Sequence, residues 1–263
     1  MNQPLAYVNP QAKVANNVVI EPFVSIDKNV VIEEGTWIGS NVTIMEGARI
    51  GKNCRIFPGA VISAIPQDLK FAGEETIVKI GNNVTIREFA TVNRGTKVSY
   101  ETVIGDNTLL MAYVHVAHDC IIGNNVVLAN VATLGGHVTI DDWAIIGGMV
   151  GIHQFCRIGC HSIIAGGSII GKDVPPYTKA GRNPLSYIGV NSIGLRRRGY
   201  STEIINKIQE IYRIIFVKGY NVTQAVEIIE ARVEATPERD EILSFIANSN
   251  RGIMKGYSRI REK

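Results

Sequence analysis

Aliphatic residues recur at every sixth position from Val8 to Ile62, again at Ile80, Ile86 and Val92, and without a gap from Ile104 to Ile170. Four positions further on stands nearly always a small or branched residue, as at Val18, Val42, Ala48, Ala60, Val126, Ala132, Val138, Ala144 and Ser162. Glycine often follows the aliphatic residue directly, as at Gly39, Gly51, Gly105, Gly123, Gly147 and Gly159. No amphipathic helix has a period of six, and a plain strand alternates every two residues. Six residues suit a short strand plus a corner. Three such units close a triangular coil of 18 residues, and stacked coils pair their strands in parallel. The pattern therefore predicts a parallel β-helix whose inward aliphatic residues form columns.

Two stretches, Ser63 to Lys79 and Asn93 to Thr102, lack clean hexads but keep multiples of six between their flanking aliphatics. They are read as loops leaving the coil, although a degenerate coil would preserve the same phase; polar excursions on a rigid scaffold often carry function. The repeat stops after "KDVPPYTKAGRNP", where prolines and glycine exclude a helix. From Ser201 the period becomes helical, with Ile204, Ile208, Ile211 and Ile215 expected on one face. "NVTQAVEIIEARVEA" and "TPERDEILSFIANS" predict two further helices, the last capped by Thr236 with Pro237 at its first position. The division expected is a coil over residues 1–190 and a helical domain over 191–263.

Composition narrows the function. The chain of 263 residues is 46% apolar but only 7% aromatic, with 26 glycines, which suits a core of small and branched side chains. A net charge of +3 is too mild to demand nucleic acid. The basic residues thicken late, at Arg196 to Arg198 and at Arg251, Lys255 and Arg259, where phosphates or an acidic protein partner could be received. No apolar run is long enough to span a membrane and no signal peptide opens the chain, so a cytoplasmic protein is expected. The cysteines show no zinc-site spacing. Cys54, Cys120 and Cys156 occupy the small position of the repeat and are expected to fill the core as free thiols.

Residues 18 apart should lie one above another, about 4.8 Å apart. His118 then stacks with Gly136 and Gln154, and Asp119 with His137 and Phe155, while His153 falls beside Gln154 and His115 lies on the strand before His118. Four of the five histidines thus gather on one edge; His161 is expected alone at the surface. Such a cluster could hold zinc, or it could supply a general base to a hydroxyl attacking a thioester. Glycine at 136 favours the second, because an unobstructed backbone N–H can face a developing oxyanion.

"QDLKFAGE", "IREFATVNRGT", "HVAHDC", "LANVATLGGHV", "AIIGGMVGIHQFC", "DVPPY" and "GLRRRG" resemble, in order, the UDP-N-acetylglucosamine 3-O-acyltransferase family of lipid A biosynthesis. The resemblance implies a left-handed parallel β-helix with a C-terminal helical domain. It also implies a homotrimer with sites between subunits, and transfer of a 3-hydroxyacyl group from acyl carrier protein to the sugar 3-hydroxyl, without metal or cofactor. By the same resemblance His118 is the general base, Asp119 its orienting neighbour and Gly136 the oxyanion donor. Asp68 and Lys70 contact sugar and donor, while His115, His137, His153 and Gln154 line the cleft. Asn191, Arg197 and Arg198 hold the nucleotide, and Gly166 sets the depth of the acyl groove. Two departures stand out. Ile193 replaces a glutamate of the family pattern, and Pro184 stands where a histidine can close the groove. Three rivals differ in kind. An N-acyltransferase of the same pathway would carry an extra N-terminal domain, for which the repeat's start at Val8 leaves no room. A metal-dependent hydratase and a structural scaffold are the others.

Overall fold

The six-residue period is realised as two-residue strands separated by tight corners in the computed structural model, which describes residues 4–256. Among the described residues the strands stack into three sheets, of nine, eight and eleven strands, whose parallel hexad strands form the sides of a left-handed parallel β-helix. In the first sheet Ile26, Ile44, Ile62, Val92, Val116, Leu134, Ile152 and Ile170 lie in register as one inward column. All eight are buried. Burying such a side chain contributes about 1.5–3 kcal/mol, and the core is a stack of these columns. Cys54, Cys120 and Cys156 sit in it as buried free thiols, as the repeat predicts.

The two irregular stretches are inserted loops. Val61 pairs with Thr91, an offset of 30 residues, so the first loop adds twelve residues to an 18-residue turn. Ile77 pairs with Glu101, an offset of 24, so the second adds six. Because both insertions are multiples of six, the inward columns continue past them unbroken.

The repetitive strands end at Ile169–Ile170 in the first sheet. Strand Thr178–Gly181 continues the third sheet in parallel, then turns back as the antiparallel strand Ser186–Val190. Four helices follow among the described residues: α1 (Ser192–Arg197), α2 (Thr202–Phe216), α3 (Val222–Arg232) and α4 (Pro237–Ala247). Their caps follow sequence chemistry. The side chains of Ser201 and Thr236 accept from the amides of Ile204 and Arg239, and Asn221 forms a reciprocal capping box with Gln224. The buried face of α2 is broader than expected, formed by Ile205, Ile208, Ile211, Tyr212, Ile214 and Ile215, with Ile204 only half-buried. The reason is tertiary: α2 packs against α3, α4 and strand Ser186–Val190 together. This second core also takes in Cys160, Tyr177 and Val190 from the coil side, and Tyr212 donates 2.5 Å to the carbonyl of Pro176. Strand Lys255–Gly256 returns to the third sheet beside Ser186–Val190, so the chain after the helices is bound to the coil again.

Candidate active site

Three successive corners on the edge between the first and second sheets carry the histidine cluster. They follow strands His115–Val116, Thr133–Leu134 and Gly151–Ile152. The amide of His137 donates 3.0 Å to the carbonyl of His118, and that of Phe155 donates 3.1 Å to Gly136. The rings of His137 and Phe155 stack at 4.5 Å. The corner residues Asp119, His137 and Phe155 have φ of 58°, 61° and 64°, a region uncommon for side-chain-bearing residues.

His118 Nδ1 lies 2.7 Å from Asp119 Oδ2. The Asp119 side chain has no solvent exposure, and the second inserted loop wraps it. The Thr96 amide donates 3.0 Å to Oδ1, the Thr96 hydroxyl 2.7 Å to Oδ2, and the Ser99 hydroxyl makes a short bond to Oδ1. Burial alone would raise the Asp119 pKa, but hydrogen bonds from Ser99, His118 and Thr96 outweigh it and take it down to about 2. Asp119 is therefore an anion at neutral pH and can only accept from His118. Nδ1 then carries the ring proton, and Nε2 keeps its lone pair free for a substrate hydroxyl. Thr96 and Ser99 escaped the sequence reading, whose one clue was the polar excursion itself.

Gly136 completes this geometry. A Cβ there would come within 2.5 Å of His118 Cε1 and 2.7 Å of Nε2, so any side chain would displace the ring. The φ of Gly136 is not positive, so the need for glycine is steric. Its N–H donates no backbone hydrogen bond among the described residues.

A cavity of about 510 Å³ opens at the edge and climbs the first sheet, lined by Gln67, Asn93, His115, His118, Gly136, Gly151, His153 and Ile169 among others. His115, Thr133, Gly151 and Ile169 form its outward column, which Thr91 continues one coil below. Nδ1 of His115 is 2.8 Å from the Thr91 hydroxyl, and burial, followed by the nearby His118, lowers the His115 pKa. Burial also lowers that of His137, opposed by the charges of Asp119 and, more weakly, of Asp68 on the first inserted loop. Lys70 lies exposed on the same loop, its amide 3.0 Å from Asp68 Oδ1. His153 and Gln154 are exposed at the upper corner. Asn93 was not foreseen. It is 2% exposed on the cavity wall, its Nδ2 bonds the Ile65 carbonyl at 3.3 Å, and its Oδ1 is buried without a partner among the described residues.

His118, Asp119 and His137 offer donor atoms within 4.8 Å of one another, so a metal deserves a test. Both Asp119 oxygens already accept two hydrogen bonds each, from Thr96, Ser99 and His118. A cation bound there would have to displace those donors, so the donor set suits an imidazole–carboxylate pair better than a metal.

The other expected residues lie on the other two edges. Gly166 and Gly148 stack on the edge between the third and first sheets, where a Cβ on Gly166 would sit 3.1 Å from the Gly148 carbonyl. The turn holding Pro184 leaves the coil beside that corner, with Gly181 against Ala165. Asn191 is buried and committed: its Oδ1 caps α1 at the Gly194 amide and its Nδ2 donates 2.9 Å to the His161 carbonyl. Capping and anchoring thus fix the orientation of the amide, using one of its two N–H groups and one lone pair of its oxygen. Arg197 is exposed, and Arg198 folds back onto the edge between the second and third sheets. His161 is likewise not the isolated surface residue expected. It stands between Trp143 and Tyr177, with Tyr200 across its edge. Arg259 lies outside the described residues.

Short parallel coils, an imidazole paired with a buried carboxylate and a glycine-lined cavity define a hexapeptide-repeat acyltransferase. A family model described as bacterial transferase hexapeptide repeats matches residues 29–64 and 101–136, and another described as UDP-N-acetylglucosamine O-acyltransferase, domain 2, matches 173–254. The acyl-[acyl-carrier-protein]–UDP-N-acetylglucosamine O-acyltransferase of Janthinobacterium is 44% identical over 199 residues, 74% of this chain and 76% of that protein. The crystal structure of a UDP-N-acetylglucosamine acyltransferase from Bacteroides fragilis superposes with a TM-score of 0.96 at 52% identity, covering 97% of this chain and all of the other. That of Francisella novicida gives 0.94 at 42%, covering 97% and 94%. The chain belongs to the acyl-[acyl-carrier-protein]–UDP-N-acetylglucosamine O-acyltransferase family.

Proposed function

We propose that this chain transfers a 3-hydroxyacyl group from acyl carrier protein to the 3-hydroxyl of UDP-N-acetylglucosamine, the first step of lipid A biosynthesis, as a cytoplasmic homotrimer. The observation that carries the reading is the pairing of His118 with buried, ionised Asp119 beneath a glycine at 136. Nε2 of His118 takes the proton of the sugar hydroxyl as its oxygen attacks the thioester carbonyl. The Gly136 N–H faces the oxyanion that develops. His118 then returns the proton to the departing thiolate of the carrier. Asn93, His115 and His153 line the pocket around the reacting groups, and Asp68, Lys70, His137 and Gln154 are assigned to contact the substrates at its rim.

The acyl chain runs up the first sheet past Gly151 toward the exposed Ile169. Gly166 and Pro184 leave the upper end open for a long chain. Gly166 and Arg198 stand on edges other than that of His118, which supports sites completed by a neighbouring copy. The coil of residues 1–190 supplies the catalytic edge, and the helical domain of 191–263 carries arginines for nucleotide and carrier. No helix among the described residues is long and apolar enough to cross a membrane.

The test is acyl transfer by the purified chain, with product mass read from UDP-N-acetylglucosamine and a mixture of 3-hydroxyacyl carrier donors. His118→Ala should lower kcat by roughly 10²–10⁴ with assembly intact. Near-normal turnover in an assembled protein, or activity that a chelator removes, would refute the reading.

A further inference from the structure

His161 is held on every side. Its ring lies parallel to Trp143 at 6.2 Å and to Tyr177 at 5.6 Å, with Tyr200 edge-on at 5.3 Å. Its carbonyl accepts from Asn191, and its own amide donates 2.9 Å to Asp142. Nδ1 is 3.2 Å from Arg198 Nη1, and Nε2 is 3.3 Å from the Tyr200 hydroxyl. A guanidinium only donates, so Nδ1 must be the acceptor and Nε2 carries the ring proton toward the Tyr200 oxygen. That tautomer exists only in the neutral ring. Burial first, and Arg198 second, push the His161 pKa down to about 4, so the ring is neutral at physiological pH.

Arg198 is fixed by this surface. Its guanidinium lies over the Trp143 ring at 5.0 Å, and Nη2 donates 3.3 Å to the Trp143 carbonyl. With one N–H on His161 and one on Trp143, three of the five N–H groups of the fork remain available. A free arginine loses much rotamer freedom on binding a phosphate, whereas one already clamped loses less.

We infer that His161 is a positioning residue for nucleotide binding: its neutral Nδ1 holds the Arg198 fork flat against Trp143, with the remaining N–H groups turned to the diphosphate of the UDP-sugar. The inference rests on the reading that Arg198 meets the nucleotide. Asn191 takes part indirectly, by anchoring α1, and hence Arg198, to the backbone of His161 itself.

The experiment compares His161→Phe, His161→Asn and His161→Gln with Arg198→Ala in steady-state kinetics and thermal unfolding. His161 has φ of 54°, which asparagine adopts readily and which Phe155 already adopts at an equivalent corner. Phenylalanine keeps the stacking and deletes the acceptor. Asparagine places its oxygen where Nδ1 was, and glutamine places its own where Nε2 was. Losing a hydrogen bond to a charged group corresponds to roughly a tenfold effect. His161→Phe should therefore raise KM for UDP-N-acetylglucosamine by about that factor, leaving kcat, KM for the acyl donor and Tm nearly unchanged. His161→Asn should restore KM, His161→Gln should not, and His161→Phe should add nothing to Arg198→Ala. Equal KM values for the Phe, Asn and Gln variants would overturn the inference, leaving His161 a filler of the seam. If His161→Phe does not fold, the Asn–Gln comparison decides alone. An unchanged KM in Arg198→Ala would instead refute the nucleotide role of Arg198, and the positioning role with it.

Discussion

Replacing Asp119 with Asn keeps the shape of the group behind His118 and removes its charge. Asp119 is 4% exposed, and its carboxyl is lowered from an ordinary 3.8 to about 2. A depression of that size stabilises the folded state by roughly 2–3 kcal/mol at neutral pH. Asparagine forfeits this and turns an NH₂ toward donors on Thr96, Ser99 or His118, so a loss of at least that order is expected. For a chain of this size it corresponds to a drop in Tm of roughly 5–10 °C. The sign of the pH dependence follows from the depressed value. The wild-type advantage is complete above the unfolded carboxyl value near 4 and disappears as pH falls through about 2. The difference in denaturant stability between the two proteins should thus stay flat from pH 8 to 5 and shrink only between about 4 and 2. Catalysis should suffer separately. An amide NH₂ facing Nδ1 favours the tautomer with the proton on Nε2, which is no base, and kcat should fall roughly 10²–10⁴-fold. Single-turnover acyl transfer at pH 7.5, with assembly checked by light scattering, measures this. A turnover within threefold of wild type, or a stability difference that already shrinks between pH 7 and 5, would refute the reasoning.

Gly136→Ala puts a methyl within 2.5 Å of the His118 ring without straining the backbone, so kcat should fall at least about 100-fold in a folded, assembled protein, as circular dichroism and turnover together would establish. A Cβ on Gly166 meets only the Gly148 backbone, 3.1 Å from its carbonyl oxygen, so Gly166→Met should fold. In competition between donors it should shift preference to a shorter chain, by roughly fourfold for each methylene excluded; an unchanged preference would place the chain elsewhere. Exposed Lys255 and the less exposed Arg251 should separate, because Arg251 donates 3.2 Å to the Gly171 carbonyl. Lys255→Glu should raise KM for acyl carrier protein at low salt and scarcely at high salt, whereas Arg251→Ala should lower Tm instead, and the reverse pattern would defeat the assignment.

The repeat made the coil legible because each inward aliphatic residue answers only to its neighbours 18 positions away, so local spacing carries the tertiary information. The same arithmetic placed His118 against Gly136 and Asp119 against His137 before any coordinates, and it placed three cysteines in the core. It failed wherever the chain leaves that lattice. Thr96 and Ser99 reach Asp119 across more than one coil from a six-residue insertion, and no periodicity dictates where such a loop folds. Asn93 owes its buried position on the cavity wall to both insertions meeting at one strand end. The helices were visible from their caps and apolar spacing, but their docking depends on side-chain complementarity between surfaces distant in sequence. That docking broadened the buried face of α2, made Asn191 an anchor between α1 and the backbone of His161, and seated Arg198 on a histidine that spacing alone had left at the surface.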